Sequence, residues 1–248
     1  MIDANPWIAT GVALVLLAAI ATIGLSAARV RQPRSALLAL GRAVLQLAAL
    51  SLILTGILQD PLWVGIGLTV MFVAAVITAT RRSTGGLRNG KALAVAMVVG
   101  PITVMAIVFA TGAVEFSPRY VLAIGGIVIG NTMTIAILIQ RVFTTSVRDH
   151  WDEVEGWLAL GATPRQSTRE LGRSAIYTAL LPSIDQTKTT GIVVLPGAFV
   201  GAIFGGASPL EAGRFQIVVL ACILAAGVLT AVILVRITSA ISVRPTEQ

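Results

Sequence analysis

Two pairs of side chains in this sequence are spaced to act together in an apolar setting. Asp185 and Lys188 lie three residues apart, so on a helix a carboxylate and an ammonium face each other. Arg42 and Gln46, four residues apart, share a helix face in the same way. Other polar groups interrupt hydrophobic stretches: Asn131, Thr132 and Thr134 in GGIVIGNTMT, and the Pro196-Gly197 step in TTGIVVLPGAFVG. Inside lipid such groups either bond across helices or border the path of a polar solute. Arg42, Gln46, Asn131, Thr132, Asp185, Lys188, Pro196 and Gly197 are therefore the candidates for a substrate path. Each has a blander alternative. Arg42 lies only about 8 Å from the end of its span at 1.5 Å per residue and can snorkel to the surface. Asn131 and Thr132 can serve as interhelical glue. Asp185 and Lys188 mean little if the span around them begins only near Thr189.

Little else in the chain could do bond-making chemistry. His150 is the one histidine, Cys222 the one cysteine, and Met71, Met97, Met105 and Met133 are scattered, so no cluster has metal-ligand spacing. No serine, histidine and acid set suits a hydrolase. Gly85-x4-Gly90-Lys91 approaches a phosphate-binding loop, but Ala92 stands where Ser or Thr would hold magnesium and no strand can precede it. It reads as a flexible basic turn. The expectation is a chain that is not an enzyme and holds no metal and no cofactor of its own.

The groups just named have to be held by membrane helices. Of 248 residues, 56% are hydrophobic and 12% charged, with a mean hydropathy of +0.91, against about 25% charged in soluble domains. Several apolar runs of about 20 residues make this an all-α polytopic membrane protein. No alternating pattern suggests a barrel. Seven spans fit: Trp7–Ala27, Leu37–Leu58, Leu62–Thr80, Ala92–Thr111, Tyr120–Ile139, one between Ala175 and Ala207, and Phe215–Arg236, all in a single permease-like domain over 1–248. Asp3, with no basic residue before the first run, argues against a cleaved signal peptide.

The net charge of +7 needs no nucleic acid, because cytoplasmic loops of membrane proteins collect Lys and Arg. Arg29, Arg31, Arg34, Arg81, Arg82, Arg88, Lys91, Arg141, Arg148, Arg165, Arg169, Arg173, Arg236 and Arg244 fall on one side, and Arg119 and Arg214 opposite. That predicts an external N-terminus and a cytoplasmic C-terminus in a cell membrane.

The connection at about 141–174 reads as two soluble helices with a defined break. The first, about Asp149–Leu160, opens with Asp149, Asp152, Glu153 and Glu155, suiting the positive end of a helix dipole. Gly161 stands at a helix stop. Thr163 offers an N-cap, Pro164 a first turn, and Gln166 a capping-box partner. Arg165, Arg169 and Arg173 follow at intervals of four, a basic stripe that repels itself unless something acidic faces it. Such a pair can rest on anionic lipid, but its acidic first helix suits a soluble partner better. Gly197, Gly201 and Gly205 form a small-residue face for helix packing, and Pro182 and Pro196 can kink or break the polar span.

The run Glu155-Gly-Trp-Leu-Ala-Leu-Gly161-Ala resembles the cytoplasmic loop of ABC transporter permeases. Ile129-Gly-Asn-Thr-Met133, Ala159–Ala162, Pro182-Ser-Ile-Asp185, Lys188-Thr, Gly191-Ile-Val-Val-Leu-Pro-Gly197, Gly205–Ala212 and Gln216-Ile together resemble the FetB (YbbM-like) iron-export permeases and the related plant aluminium-tolerance membrane permeases. The resemblance implies a permease that exports a metal ion or small solute, works as a pair of copies, and is driven by a separate ATPase subunit carrying ATP and magnesium. It places coupling to that ATPase at 149–173, on Glu153, Glu155, Trp157, Leu158, Gly161, Ala162, Thr163, Arg165 and Arg169. Where those relatives often read Leu-Pro-Gly-Met-Met-Thr-Gly-Gln, this chain has Leu195-Pro-Gly-Ala-Phe-Val-Gly-Ala202. An ATPase-independent transporter or channel is the alternative.

Overall fold

A computed structural model describes residues 6–30, 35–57, 60–83 and 89–245. The chain divides into two compact units, 1–59 and 60–248. The first contains α1 (Pro6–Ala27) and α2 (Ser35–Ile57), which pack on each other. Both are long and apolar enough to cross a membrane.

The second unit contains α3 (Pro61–Arg82), α4 (Gly90–Ala110), α5 (Pro118–Asp149), α6 (Trp151–Ala159), α7 (Pro164–Ser167), α8 (Arg169–Thr189), α9 (Gly197–Phe204) and α10 (Pro209–Thr238). Among the described residues the only β pairing is one isolated bridge, Thr190 to Val194. α3, α4, α5 and α10 also have the length and apolarity of spans. α5 is longer than the expected Tyr120–Ile139 and runs to Asp149, so it leads directly into the soluble connection.

Small residues set how these helices approach. A methyl added at Gly100 of α4 would lie 2.6 Å from the Ala226 carbonyl oxygen of α10, an approach that glycine alone permits. Leu68 of α3 fills the space over Gly125, and Ile135 and Leu180 close over Gly227. These contacts make α3, α5 and α10 parallel to one another and α4 and α8 antiparallel to them. One core cluster includes Leu93, Met97, Ile139, Phe143, Ala175, Ala179 and Leu234. The other includes Val104, Val108, Ile124, Val128, Val219 and Ile223. The first lies toward the end where α3 and α5 finish and α8 begins, and the second toward the other.

The sixth expected span, between 175 and 207, is not one helix. α8 begins earlier, at Arg169, passes through Pro182 and stops at Thr189. α9 resumes at Gly197 for only eight residues. The turn between them folds onto Thr189 and Thr190: Val193 N–H donates to the Thr189 carbonyl at 2.9 Å, and Gly191 N–H to the Val194 carbonyl at 2.9 Å. Gly191 has φ +88, a backbone that side-chain-bearing residues rarely adopt. The break therefore falls at Gly191 and Pro196, while Pro182 is carried inside the helix.

Candidate functional site

The soluble connection forms an elbow whose bend is fixed by local chemistry. At the end of α6 the Gly161 N–H donates to the Leu158 carbonyl and the Ala162 N–H to the Trp157 carbonyl, both at 3.0 Å, closing a Schellman turn. Gly161 sits at φ +90 with open space where a side chain would stand. Glycine is needed there for its backbone, not for packing. One residue on, Gln166 folds back so that its Oε1 accepts from the Thr163 N–H and the Thr163 hydroxyl, each at 2.8 Å. Pro164 follows at the first helical position. The stop and the cap expected from sequence are both present.

Two features of the elbow differ from expectation. α6 opens at Trp151, so Asp152 and Glu153 occupy its first turn while Asp149 closes α5 and pairs with Arg148 at 3.1 Å. The stripe Arg165–Arg169–Arg173 is not one helix face. Thr168 ends α7 and a new helix starts at Arg169. Arg173 meets Glu170 at 2.6 Å, which removes part of the repulsion the stripe would otherwise feel.

Between α6 and the start of α8 lies a groove of about 630 Å³. Of the candidate coupling residues, Glu153, Trp157, Gly161, Ala162 and Arg169 line it, joined by Gln166. Glu155, Leu158, Thr163 and Arg165 lie outside that lining. Trp157 is 58% and Leu160 84% exposed. Both are large apolar groups on an otherwise polar elbow. Val154, fully buried, and Trp151, packed against the main core, hold α6 in place.

The elbow is bonded to the membrane bundle. The Thr168 hydroxyl, fully buried, contacts the Pro164 carbonyl at 3.0 Å and the Ser239 carbonyl at 2.8 Å. Just beyond, a methyl at Gly172 would meet Val235 at 2.8 Å and Phe143 at 3.7 Å. The sequence reading missed Thr168 because its partner lies 71 residues away, and nothing local signals that contact.

α8 then carries the candidate ion pair inward. Lys188 Nζ lies 3.4 Å from Asp185 Oδ1, with both side chains more than half exposed. Gly172 lies opposite Val235 and Leu180 opposite Gly227. Continuing that register sets Asp185 level with about Cys222, near the midpoint of α10. At 1.5 Å per residue this is about 24 Å along α8 from Arg169. Asp185 and Lys188 are thus deep along the bundle, on a helix that began well before Thr189. A charged side chain facing lipid at a span's centre costs about 2.5–3.5 kcal/mol on the insertion scale.

The remaining candidates are placed separately. Arg42 and Gln46 are exposed one turn apart on α2, in the first unit. Asn131 Nδ2 donates to the Ile127 carbonyl at 2.8 Å, and Thr132 Oγ1 bonds the Val128 and Ile129 carbonyls at 2.9 and 3.0 Å. Thr134 bonds the Gly130 carbonyl. All three spend their polarity on their own helix rather than across helices, as short polar side chains in a helix can. Thr132 is fully buried and Asn131 half-buried. Pro196 caps α9, and Gly197 opens it. A methyl added at Gly197 or Gly201 would meet nothing within 4 Å among the described residues, so these two glycines are not there for a close helix approach. The turn before α9 exposes Ile192 (90%), Val193 and Leu195.

Among the described residues no group of three or more His, Cys, Asp or Glu could hold a metal ion. The basic turn lies partly at 84–88, outside the described residues, and what precedes it is the helix α3.

Six helices long and apolar enough to cross a membrane, among the described residues, define a polytopic α-helical membrane protein. The chain belongs to the family described as Uncharacterised protein family (UPF0014), whose model matches residues 7–241. It is 36% identical over 199 residues to "UPF0014 membrane protein STAR2" of Oryza sativa subsp. japonica, covering 79% of this chain and 70% of that one. Over 181 residues it is 34% identical to "Protein ALUMINUM SENSITIVE 3" of Arabidopsis thaliana, covering 72% of this chain and 66% of the relative. With "Probable iron export permease protein FetB" of Escherichia coli (strain K12) it shares 32% identity over 201 residues, 80% of this chain and 77% of the relative. No solved structure matches it.

Proposed function

We propose that this chain is the membrane-spanning subunit of an ABC transporter that exports a metal ion or small solute. A separate ATPase, holding ATP and magnesium, docks on the α6–α7 elbow, and two copies of the permease work together. The elbow end faces the cytoplasm, as its cluster of Arg and Lys favours. The observation that carries this reading is the elbow itself. It is a bend stiffened at Gly161 and Thr163, presents exposed Trp157 and Leu160 beside a groove, and has acids on α6 and bases on α7 and α8. A helix pair resting on anionic lipid has no use for acids on one arm, whereas a protein partner can complement both signs. The relative named as an iron export permease supports the assignment to transport.

In this reading the ATPase moves the elbow, and the rigid start of α8 carries the movement to Asp185, Lys188 and the broken span. Affinity purification from the native membrane tests it. A nucleotide-binding subunit is expected to accompany the chain, and to be lost when Trp157 and Leu160 are replaced by serine. Recovery of the chain without any ATPase, together with solute flux from the chain alone in liposomes, contradicts it.

A further inference from the structure

α8 differs from the other long helices of its unit in what it shows outside. The large apolar groups exposed on α10 are Leu210, Ile217, Val228, Val232 and Ile237, as expected of a face turned to lipid. From Arg169 to Thr189 the one large hydrophobic residue so exposed is Tyr177. Instead α8 exposes Ser174, Thr178, Pro182, Asp185, Gln186 and Lys188. Ser174, Thr178, Pro182 and Gln186 recur every four residues on one side of the helix. Ala175 and Ala179, each one position beyond a residue of this row, and Leu180 on the far side of the helix pack into the core.

A polar stripe that begins at the elbow and ends at a charged pair near mid-depth is unsuited to hydrocarbon. We infer that this face of α8 is the wall of a water-filled vestibule. The vestibule opens at the elbow end and admits hydrated polar solutes as far as the Asp185–Lys188 pair. Water along the stripe satisfies Ser174, Thr178 and Gln186 and hydrates both charges, so the pair needs no second protein to hold it in the membrane. Pro182 fits the same picture, since the Thr178 carbonyl, left without its helical donor by the proline ring, can bond to vestibule water. The inference deepens the permease reading by placing its route, but it is tested without any ATPase.

The experiment uses the full chain in native membrane vesicles, prepared in both orientations. Single cysteines at Ser174, Thr178 and Gln186 in a Cys222→Ala background are treated with a membrane-impermeant maleimide, which reacts with the thiolate and so requires water. Arg165→Cys on the elbow is the exposed reference, Ile102→Cys on the apolar outside of α4 the lipid reference, and Ala179→Cys the buried one. All three stripe positions are expected to react from the elbow side at rates within about tenfold of the elbow reference. The two apolar references should stay unmodified. Thr178→Cys and Gln186→Cys reacting as slowly as Ile102→Cys overturn the inference, whether lipid, the first unit or a second copy covers the stripe. A measurement on the unmutated chain guards against misfolded variants. A water-soluble carbodiimide should modify Asp185 or join it to Lys188, read by peptide mass spectrometry. An untouched Asp185 beside a modified Asp152 overturns the inference equally. Loss of the proposed ATPase partner would leave both results standing, and failure of the labelling would leave the docking elbow standing.

Discussion

The hydroxyl of Thr168 bonds the main-chain carbonyl of Ser239 at 2.8 Å, both groups buried and 71 residues apart in the chain. It ties the start of α8 to the end of α10 where the elbow enters the bundle. The same carbonyl also accepts from the Ile241 N–H at 2.9 Å, so removing the hydroxyl takes away one of its two donors and costs about 0.5–1.5 kcal/mol. Thr168→Val should therefore lower the unfolding temperature in detergent and weaken the link between ATP hydrolysis and transport. Thr168→Ser should restore both. A valine variant of normal stability would show that the bond is dispensable.

Gly161 is a backbone requirement, since its φ of +90 is combined with empty space around it. A β-branched residue there pays about 1–2 kcal/mol for the left-handed conformation or re-aims the elbow. Gly161→Val should insert normally and lose transport, whereas Gly161→Asn should retain part of it, because Asn tolerates this region better. Transport assays beside membrane-fraction blots check this. Full transport by the valine variant would remove the elbow from the coupling route.

Gly100 is the opposite kind of glycine. Its helix angles suit any residue, but the Ala226 carbonyl leaves no room for a methyl. Gly100→Ala should force α4 from α10 at about 1–3 kcal/mol and reduce the folded yield, measured by size exclusion in detergent, more than Gly161→Ala does.

The Asp185–Lys188 pair separates two settings. In a water-lined face an exposed pair is worth under about 1 kcal/mol, so Asp185→Asn should leave the folded yield nearly unchanged while flux falls. In lipid the same change strands the Lys188 charge at about 2.5–3.5 kcal/mol. The yield would then collapse and return in the double variant Asp185→Asn/Lys188→Gln.

Much of this was legible in the sequence, and what was missed has a physical pattern. Signals confined to a few neighbouring residues were read correctly: the Gly161 stop, the Thr163–Gln166 cap, and Asp185 facing Lys188. So were six of the seven expected spans, because length and hydrophobicity alone define a span. Contacts between distant segments were not readable. The Thr168–Ser239 bond and the Gly100–Ala226 approach depend on which helices meet. Single residues were also overweighted. Pro182 looks like a breaker, yet the packing of Ala179 and Leu180 against the core carries α8 through it, and the chain breaks at Gly191. Asn131 and Thr132 looked available to other helices, but their own carbonyls were nearer. The α8 stripe, Ser174, Thr178 and Gln186 with Pro182 between them, went unread in the sequence. Recognising it as an outer face required knowing which side Ala175 and Ala179 buried.

The most direct measurement of the central claim is solute flux across proteoliposomes containing the purified chain, with and without its co-purifying ATPase. The account predicts metal-ion or small-solute movement only when both subunits and hydrolysable ATP are present, and none when Trp157 and Leu160 are replaced by serine. Flux of the same size from the chain alone, without nucleotide, would contradict it.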